Sequence, residues 1–264
     1  MDTKTLTEIC TESRRVVQQA ADFIRSNRFT VTVEDISEKG RNSLVSFVDR
    51  QSEDLLVSGL SGLLPHAGFI TEEEMVEQSD GGLVWIIDPL DGTTNFLHNI
   101  PCYSVSVALF DGHRLLMGIV HDAATGEVFH AVSGGGAFLN DTVLKVTDRA
   151  DFHDILVGTG FPYKTEHTTD GHFEALKQVL HSTRGIRRLG SAAIDLCYVA
   201  CGRFGAFYEN TLNSYDIAAG ALIVKEAGGF VSDFRGGDNW LFEGEIAATA
   251  PQFKNEMLNI LRAF

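Results

Sequence analysis

One stretch decides how this chain folds, and it reads Val84-Trp85-Ile86-Ile87-Asp88-Pro89-Leu90-Asp91-Gly92-Thr93-Thr94-Asn95-Phe96. Its apolar first half predicts a buried strand, and two aspartates three residues apart follow where that strand ends. Hard divalent cations such as Mg²⁺ bind oxygen ligands and usually share them with substrate phosphates. A helix that starts after the second aspartate would offer its free backbone N–H groups to a phosphate. The alternative is a strand followed by an ordinary Asp-Gly turn, but the whole of Asp88 to Phe96 favours a metal and phosphate site.

The composition is typical of a soluble globular protein and limits the partners that the chain can have. Of its 264 residues, 44% are apolar and 22% are charged. The net charge of −15 argues against a nucleic-acid partner, whereas a small phosphorylated molecule is allowed because bound cations can reverse the charge of an acidic site. We predict no membrane partner, because a span needs about 18 consecutive apolar residues and none occur. The N-terminus lacks the basic start and apolar middle of a signal peptide, so we predict a cytoplasmic protein.

Hydrophobic periodicity predicts helices and strands along the whole chain. Helical spacing marks residues 3–27, 51–64, 171–181, 191–200, 216–227 and 252–262. Strand-like composition marks residues 104–110, 115–121, 128–132, 155–158 and 205–209 in addition to the opening stretch. The polar segment 34–41 is predicted to be a loop. No linker or repeat divides the chain, so we expect one α/β unit over residues 1–264, with two lobes that meet near residues 145–155.

Acidic residues follow the apolar elements at several separate places, where loops present side chains to ligands. Glu72 comes after one short strand, Asp88 and Asp91 after the next, Glu209 closes a third strand, and Asp216 opens a helix. Each has a structural alternative, because an acidic run is usually a solvated face and an Asp at a helix start is usually a cap. Together they supply enough oxygen ligands for two or three divalent cations, and paired metals suit phosphate-ester hydrolysis.

Other hydrolytic chemistry has little support in the sequence. The nine histidines show no His-Glu-x-x-His pairing, which argues against a histidine-bound metal. No Gly-x-Ser-x-Gly segment is present, so a Ser-His-Asp hydrolase is not predicted.

Five segments resemble those of the inositol monophosphatase family, and they occur in the same order: Ile70–Glu73, Asp88–Phe96, Gly190–Ala193, Ala206–Glu209 and Tyr215–Gly220. The resemblance extends from about residue 5 to the end of the chain. It implies an α/β (α+β) fold, a layered α-β-α-β-α sandwich of the inositol monophosphatase and fructose-1,6-bisphosphatase type, with one catalytic domain over residues 1–264. It also implies a Mg²⁺-dependent phosphomonoesterase.

The resemblance assigns the metal ligands residue by residue. Glu72, Asp88 and the backbone carbonyl of Leu90 would hold the first Mg²⁺ ion. Asp88, Asp91 and Asp216 would hold the second, and Glu72 would contribute to a weaker third. Tyr215 replaces the tryptophan that usually precedes Asp216, but no carboxylate ligand is lost.

The resemblance also assigns catalytic and substrate-binding residues. Thr93 would position the attacking water, and Asp49 would be its hydrogen-bonded partner and proton acceptor, because a threonine hydroxyl alone is a poor base. Glu72 would complete the catalytic group. The residues that would contact substrate are Asp91, Gly92, Thr93, Gly190, Ser191, Ala192 and Glu209.

The last residues of the opening stretch, Thr94-Asn95-Phe96, indicate which substrate to expect. Relatives that act on adenosine bisphosphates tend to have a Lys-Glu pair after Asp-Gly-Thr, whereas Thr94-Asn95 here looks like the inositol-type branch. We therefore expect hydrolysis of myo-inositol monophosphate by metal-activated water. The alternatives are 3'-phosphoadenosine 5'-phosphate, fructose 1,6-bisphosphate or histidinol phosphate as substrate, or a non-catalytic regulator that binds metal or phosphate. A homodimer and lithium sensitivity are further implications of the resemblance.

Overall fold

Two β-sheets and three layers of helices make up the structure, a computed structural model that describes residues 1–32, 37–40, 43–73, 82–162, 169–262 and 264. The helices of this part of the chain are α1 (Thr3–Ser26), α2 (Phe47–Leu63), α3 (Thr93–Leu97), α4 (Thr169–Ser182), α5 (Ala192–Ala200), α6 (Ser214–Glu226), α7 (Trp240–Glu243) and α8 (Lys254–Leu261).

The larger sheet has seven strands and is antiparallel apart from its first pair. Its strands are, in spatial and chain order, β3 (Gly68–Thr71), β4 (Val84–Asp91), β5 (Ser104–Phe110), β6 (Leu115–Asp122), β7 (Val128–Val132), β8 (Gly136–Leu139) and β9 (Thr142–Val143). Strands β3 and β4 are parallel, so the segments that follow them leave the sheet at the same edge. This arrangement brings Glu72, which follows Thr71, close to the end of β4.

The smaller sheet has five strands and combines parallel and antiparallel pairs. Its members are β10 (Leu156–Thr159), β11 (Gly185–Arg187), β12 (Ala206–Glu209), β13 (Phe230–Ser232) and β14 (Ile246–Thr249), in the spatial order β11-β10-β12-β14-β13. Strand β10 is parallel to both of its neighbours, whereas β14 is antiparallel to β12 and β13. Residues 144–155 connect the two sheets, but the division into two lobes there stays a prediction.

The helices cover both sheets in the predicted α-β-α-β-α order. Helices α1 and α2 pack on one face of the larger sheet, α5 and α6 lie between the sheets, and α4 and α8 cover the outer face of the smaller sheet. Alternate residues of β4 supply different layers, since Trp85 and Ile87 face α1 and α2 while Ile86 faces the central helices. Gly118 lets α6 approach closely, because a Cβ atom there would lie 2.7 Å from the carbonyl oxygen of Ala219. The predicted fold class is confirmed.

The predicted loop at residues 34–41 is wrong for part of its length. Strand β1 (Ser37–Gly40) pairs antiparallel with β2 (Ser43–Val45), while residues 34–36 and 41 lie outside the described part of the chain. The polar composition of β1 concealed this hairpin, because Ser37–Gly40 contains no apolar side chain. Helix α2 begins at Phe47, earlier than predicted, because Ser46 caps it and Asp49 closes a capping box.

Candidate active site

Three carboxylates from two elements converge at the edge of the larger sheet. Asp88 and Asp91 lie at the end of β4, and Asp216 lies in the first turn of α6. One oxygen from each forms a group whose members all lie within 4.8 Å of one another. Residues three apart on a regular strand face opposite sides, but the β4–β5 register shifts between Asp88 and Asp91. We attribute the convergence to this irregularity, which contains Pro89 and has the character of a β-bulge.

The three carboxylates lie close together, and the loss of water around them disfavours the ionised form of each. Burial raises the pKa of Asp88 well above its ordinary value, and the charges of Glu72, Asp91 and Asp216 raise it further. Burial raises the pKa of Asp91 to about 6, and burial together with the charge of Asp91 raises the pKa of Asp216 to about 7. A divalent cation would remove this penalty, and an all-oxygen ligand set suits Mg²⁺. The donor set therefore fits the metal that the sequence predicted.

Two further predicted ligands lie beside this group. Glu72 follows β3 and is not one of the three clustered carboxylates, but it is close enough to raise the pKa of Asp88 by charge repulsion. The backbone of Leu90 lies between the two aspartates of β4, where its N–H donates to Asp88 Oδ1 over 3.0 Å. The structure thus brings the predicted metal ligands to one place, although their roles as ligands stay a prediction.

Thr93 and Asp49 form a direct hydrogen bond next to the carboxylate group. The hydroxyl of Thr93 lies 2.7 Å from Asp49 Oδ1 and 2.9 Å from the carbonyl oxygen of Leu90. Asp49 is buried, and its Oδ2 accepts from the N–H and the hydroxyl of Ser46 over 2.8 and 2.7 Å. Burial raises the pKa of Asp49, while the hydrogen bonds from Ser46 and Thr93 oppose that rise. The pairing that the resemblance implied is present in the structure.

The start of α5 donates two hydrogen bonds to Asp91. Ser191 is the N-cap of this helix, and its hydroxyl donates to Asp91 Oδ2 over 2.6 Å. The backbone N–H of Ala193 donates to the same oxygen over 2.9 Å. Ser191 and Ala192 are both buried, so their side chains offer little surface to a ligand. Contact between Gly190–Ala192 and substrate would therefore involve mainly the backbone, and it stays a prediction.

Asn95 connects two of the predicted substrate-binding segments, which sequence reasoning did not anticipate. Its side-chain N–H groups donate to the carbonyl oxygens of Cys102 and Leu189, both over 2.8 Å. Gly92 and Gly190 both have φ of +91°, and a Cβ atom on Gly92 would lie 3.2 Å from the Gly190 carbonyl oxygen. The side chain of Asn95 thus fixes the distance between α3 and the start of α5. Its position after Asp-Gly-Thr-Thr was the available signal.

Glu209 lies at the end of β12, next to the carboxylate group. Burial raises its pKa to about 8, with the guanidinium of Arg188 opposing the rise and the charges of Asp216 and Asp91 adding to it. Arg188 also lies over the ring of Phe161, with 5.8 Å between the guanidinium carbon and the ring centroid. Sequence reasoning missed Arg188, whose positive charge also lowers the pKa of Asp91.

Comparison with known proteins agrees with this geometry. The family model described as inositol monophosphatase family matches residues 4–263. An inositol-1-monophosphatase of Mesorhizobium japonicum is 42% identical over 86% of this chain and 86% of its own length. The Nus factor SuhB of Escherichia coli is 37% identical over 94% of this chain and 93% of its own length.

Solved structures show the same similarity. The extragenic suppressor protein suhB of Bartonella henselae superposes with a TM-score of 0.90 at 34% identity, and 98% of each chain is covered. An IMPase of Thermotoga maritima superposes with a TM-score of 0.86 at 30% identity over 94% of each chain. Within the described residues, the helices are too short or too polar for any of them to cross a membrane.

Proposed function

Because the chain belongs to the inositol monophosphatase family and is therefore a phosphatase, we propose that it uses Mg²⁺ to hydrolyse myo-inositol monophosphate. The observation that supports this most strongly is the convergence of Asp88, Asp91 and Asp216 within 4.8 Å, beside the hydrogen-bonded pair of Thr93 and Asp49. Carboxylate oxygens for the metal and a hydroxyl–carboxylate pair for the water are the two parts that hydrolysis of an unreactive phosphate ester requires.

We propose ligands for two Mg²⁺ ions and for a weaker third. Glu72, Asp88 and the Leu90 carbonyl would hold one Mg²⁺ ion, Asp88, Asp91 and Asp216 a second, and Glu72 would help to hold a third. When bound, Mg²⁺ supplies a Lewis acid that lowers the pKa of water and offsets charge on phosphate oxygens. Asp91 is held in place for this role by Ser191 and Ala193 N–H, so that its other oxygen is left for a ligand.

Thr93 and Asp49 are proposed to handle the proton of the attacking water. A hydroxyl has one hydrogen, so Thr93 can donate to Asp49 or to the Leu90 carbonyl at any moment. Donation to Asp49 leaves the Leu90 carbonyl for the metal and turns a lone pair of Thr93 toward water. Asp49 can then accept the hydroxyl proton of Thr93 while Thr93 takes a proton from the water, which leaves hydroxide as the nucleophile and Thr93 neutral. Burial favours the neutral form of Asp49 and so favours this transfer.

The remaining contacts are proposed for the substrate. The backbone N–H groups of Gly92 and Thr93, which follow Asp91, would donate hydrogen bonds to the phosphate. Asp91 would also contact the substrate. Backbone groups of Gly190–Ala192 and the carboxylate of Glu209 would contact the alcohol, because a carboxylate accepts hydrogen bonds from ring hydroxyls.

The test compares phosphate release by wild type, Asp88→Asn and Asp216→Asn. The substrate panel contains myo-inositol monophosphate, 3'-phosphoadenosine 5'-phosphate, fructose 1,6-bisphosphate and histidinol phosphate, each with Mg²⁺ and with EDTA. Asp141→Asn is the matched control, because it makes the same change at an exposed carboxylate. Both site variants should be folded and inactive, while the control should match wild type. Full activity in either site variant would refute the proposal, and the panel decides among the substrates.

A regulatory role is the second candidate, because several relatives carry the name Nus factor SuhB. A purely regulatory protein with this site would bind Mg²⁺ in calorimetry and release phosphate from no member of the panel. The intact set of Asp88, Asp91, Asp216, Thr93 and Asp49 favours the hydrolase.

We further propose that the protein is a cytoplasmic homodimer that lithium inhibits, as the family resemblance implies. Light scattering of the purified chain measures the dimer. Phosphate release in LiCl, with NaCl at equal concentration as control, measures the inhibition, and equal responses to the two salts would contradict it.

A further inference from the structure

The carboxylate of Glu209 occupies the space that a side chain on Gly160 would fill. A Cβ atom built on Gly160 would lie 1.8, 2.0 and 2.3 Å from Oε1, Cδ and Oε2 of Glu209, and these are its three nearest atoms. Such distances exclude any residue other than glycine while Glu209 keeps its position. Gly160 does not adopt a positive φ, so the Glu209 carboxylate, and not the backbone conformation, is what requires a glycine here.

Strand register explains this contact. Strands β10 and β12 are parallel neighbours, with Thr159 opposite Tyr208, so the next residues along each strand are Gly160 and Glu209. Side chains at matched positions of adjacent strands point to the same face of a sheet. Glu209 can therefore lie across the end of β10 only if the residue next to it has no side chain.

The contact is fixed from several sides. Glu209 is buried, Gly160 is buried, and the positive charge of Arg188 acts on the same carboxylate. Glu209 is also close enough to Asp91 and Asp216 for their charges to act on it. Its carboxylate is therefore held against Gly160, within electrostatic range of both the proposed metal ligands and Arg188.

We propose that Gly160 is a positioning residue for substrate specificity, because it seats the Glu209 carboxylate where that group selects alcohols with several hydroxyl groups. The inference rests on the proposed function for the role of Glu209. It assigns selectivity to a residue that touches no substrate. Since the displaced group is the flexible end of a side chain, a methyl group at position 160 should move Glu209 without unfolding the protein.

The test combines kinetics and crystallography on Gly160→Ala, Glu209→Ala and the double variant. Each is assayed with myo-inositol monophosphate and with phenyl phosphate, whose leaving group has no further hydroxyl. Gly158→Ala, two residues earlier and within β10, is the matched control. A Cβ atom there would lie 2.9 Å from the ring of Phe204 and would not meet Glu209. A crystal structure of Gly160→Ala locates the carboxylate independently of activity.

We expect Gly160→Ala and Glu209→Ala to raise KM for myo-inositol monophosphate by about tenfold or more, since each loses hydrogen bonds between the substrate and the Glu209 carboxyl group. The double variant should show the same KM as either single variant, because the methyl group acts only through Glu209. The ratio of kcat/KM for myo-inositol monophosphate to kcat/KM for phenyl phosphate should fall by the same factor in Gly160→Ala, whereas Gly158→Ala should leave this ratio at its wild-type value.

Several results would overturn the inference. An unmoved carboxylate in the crystal structure, an unchanged KM in Gly160→Ala, or effects that multiply in the double variant would each do so. If Glu209→Ala leaves KM unchanged while phenyl phosphate is still hydrolysed, the specificity role is wrong and the phosphatase function stands. If wild type hydrolyses no ester, the proposed function fails, and the crystal structure alone decides whether Gly160 seats the carboxylate.

Discussion

Replacing Thr93 by valine tests the proposed proton path with little change of shape. Valine has almost the volume of threonine but lacks the hydroxyl that lies 2.7 Å from Asp49 and 2.9 Å from the Leu90 carbonyl oxygen. The backbone amide proposed to contact phosphate is kept. Thr93→Val therefore removes the water-positioning group and leaves the carboxylates in place.

The structure sets the size of both effects. Asp49 accepts three hydrogen bonds, two from Ser46 and one from Thr93, so the variant removes one of three from a buried carboxylate. We expect the free energy of unfolding to fall by about 1–2 kcal/mol, which lowers Tm by roughly 2–4 °C per kcal/mol for a chain of this size. Loss of assisted proton transfer should lower kcat by about 10²–10⁴-fold, with a small change in KM.

The assay is steady-state phosphate release with Mg²⁺, accompanied by thermal unfolding of each protein. Thr93→Ser keeps the hydroxyl and is the matched control, so it should retain most of the wild-type kcat. The reasoning is refuted if Thr93→Val keeps more than about a tenth of the wild-type kcat. It is refuted equally if Thr93→Ser loses as much activity as Thr93→Val, because the hydroxyl would then not be the cause.

Three further predictions concern stability. His121 is buried, and within the described residues its ring nitrogens have no hydrogen-bond partner. Burial lowers its pKa to about 4, so as pH falls below 6.5 the unfolded chain takes up a proton before the folded chain does; urea unfolding should show wild type losing about 2 kcal/mol between pH 7 and 5 relative to His121→Leu. Asn95→Asp replaces a donor with an acceptor opposite buried carbonyl groups, and the free energy of urea unfolding should fall by about 2–3 kcal/mol. Gly118→Ala should lower it by about 1–3 kcal/mol through contact with the Ala219 backbone. Gly62→Ala is the control for Gly118→Ala. A Cβ atom at this exposed helix position would meet no neighbour, so the free energy of unfolding should stay unchanged or rise.

The parts of the fold that could be predicted are those with a strong period and a buried face. Strands β5 and β7 have the predicted bounds, and α1 ends one residue before its predicted end, because each buries one apolar face against a sheet or a helix. The hairpin of β1 and β2 could not be predicted, because β1 is polar and β2 has only three residues, too few to show a hydrophobic period. Helix α2 was placed four residues late because its first turn depends on the capping box of Ser46 and Asp49 and not on apolar spacing.

For the candidate site, the sequence predicted the chemistry better than the geometry. Acidic residues at the ends of apolar segments indicated the carboxylates, because oxygen ligands follow from residue type alone. The contact of Gly160 with Glu209 depends on the register between β10 and β12, and Asn95 acts on carbonyl groups up to 94 residues away. Register and long-range backbone contacts have no local signal, so these contacts could be found only in the structure, although the positions of Asn95 and Glu209 in the sequence had marked both residues.

The aspartates of the site also show that a structural and a functional interpretation of one residue need not exclude each other. Asp49 and Asp216 lie in the first turns of α2 and α6, where Oδ2 of each accepts from the backbone N–H of the residue three positions earlier. In Asp91, both hydrogen bonds from the start of α5 fall on Oδ2. In Asp88, the Leu90 N–H binds Oδ1. One oxygen of each carboxylate thus holds an element of the fold. The other oxygen of Asp49 accepts from Thr93, and we propose that Asp88, Asp91 and Asp216 offer theirs to a cation. The contacts that fix the starts of these helices therefore also fix the positions of the proposed ligands, which makes the site rigid wherever the helices are stable.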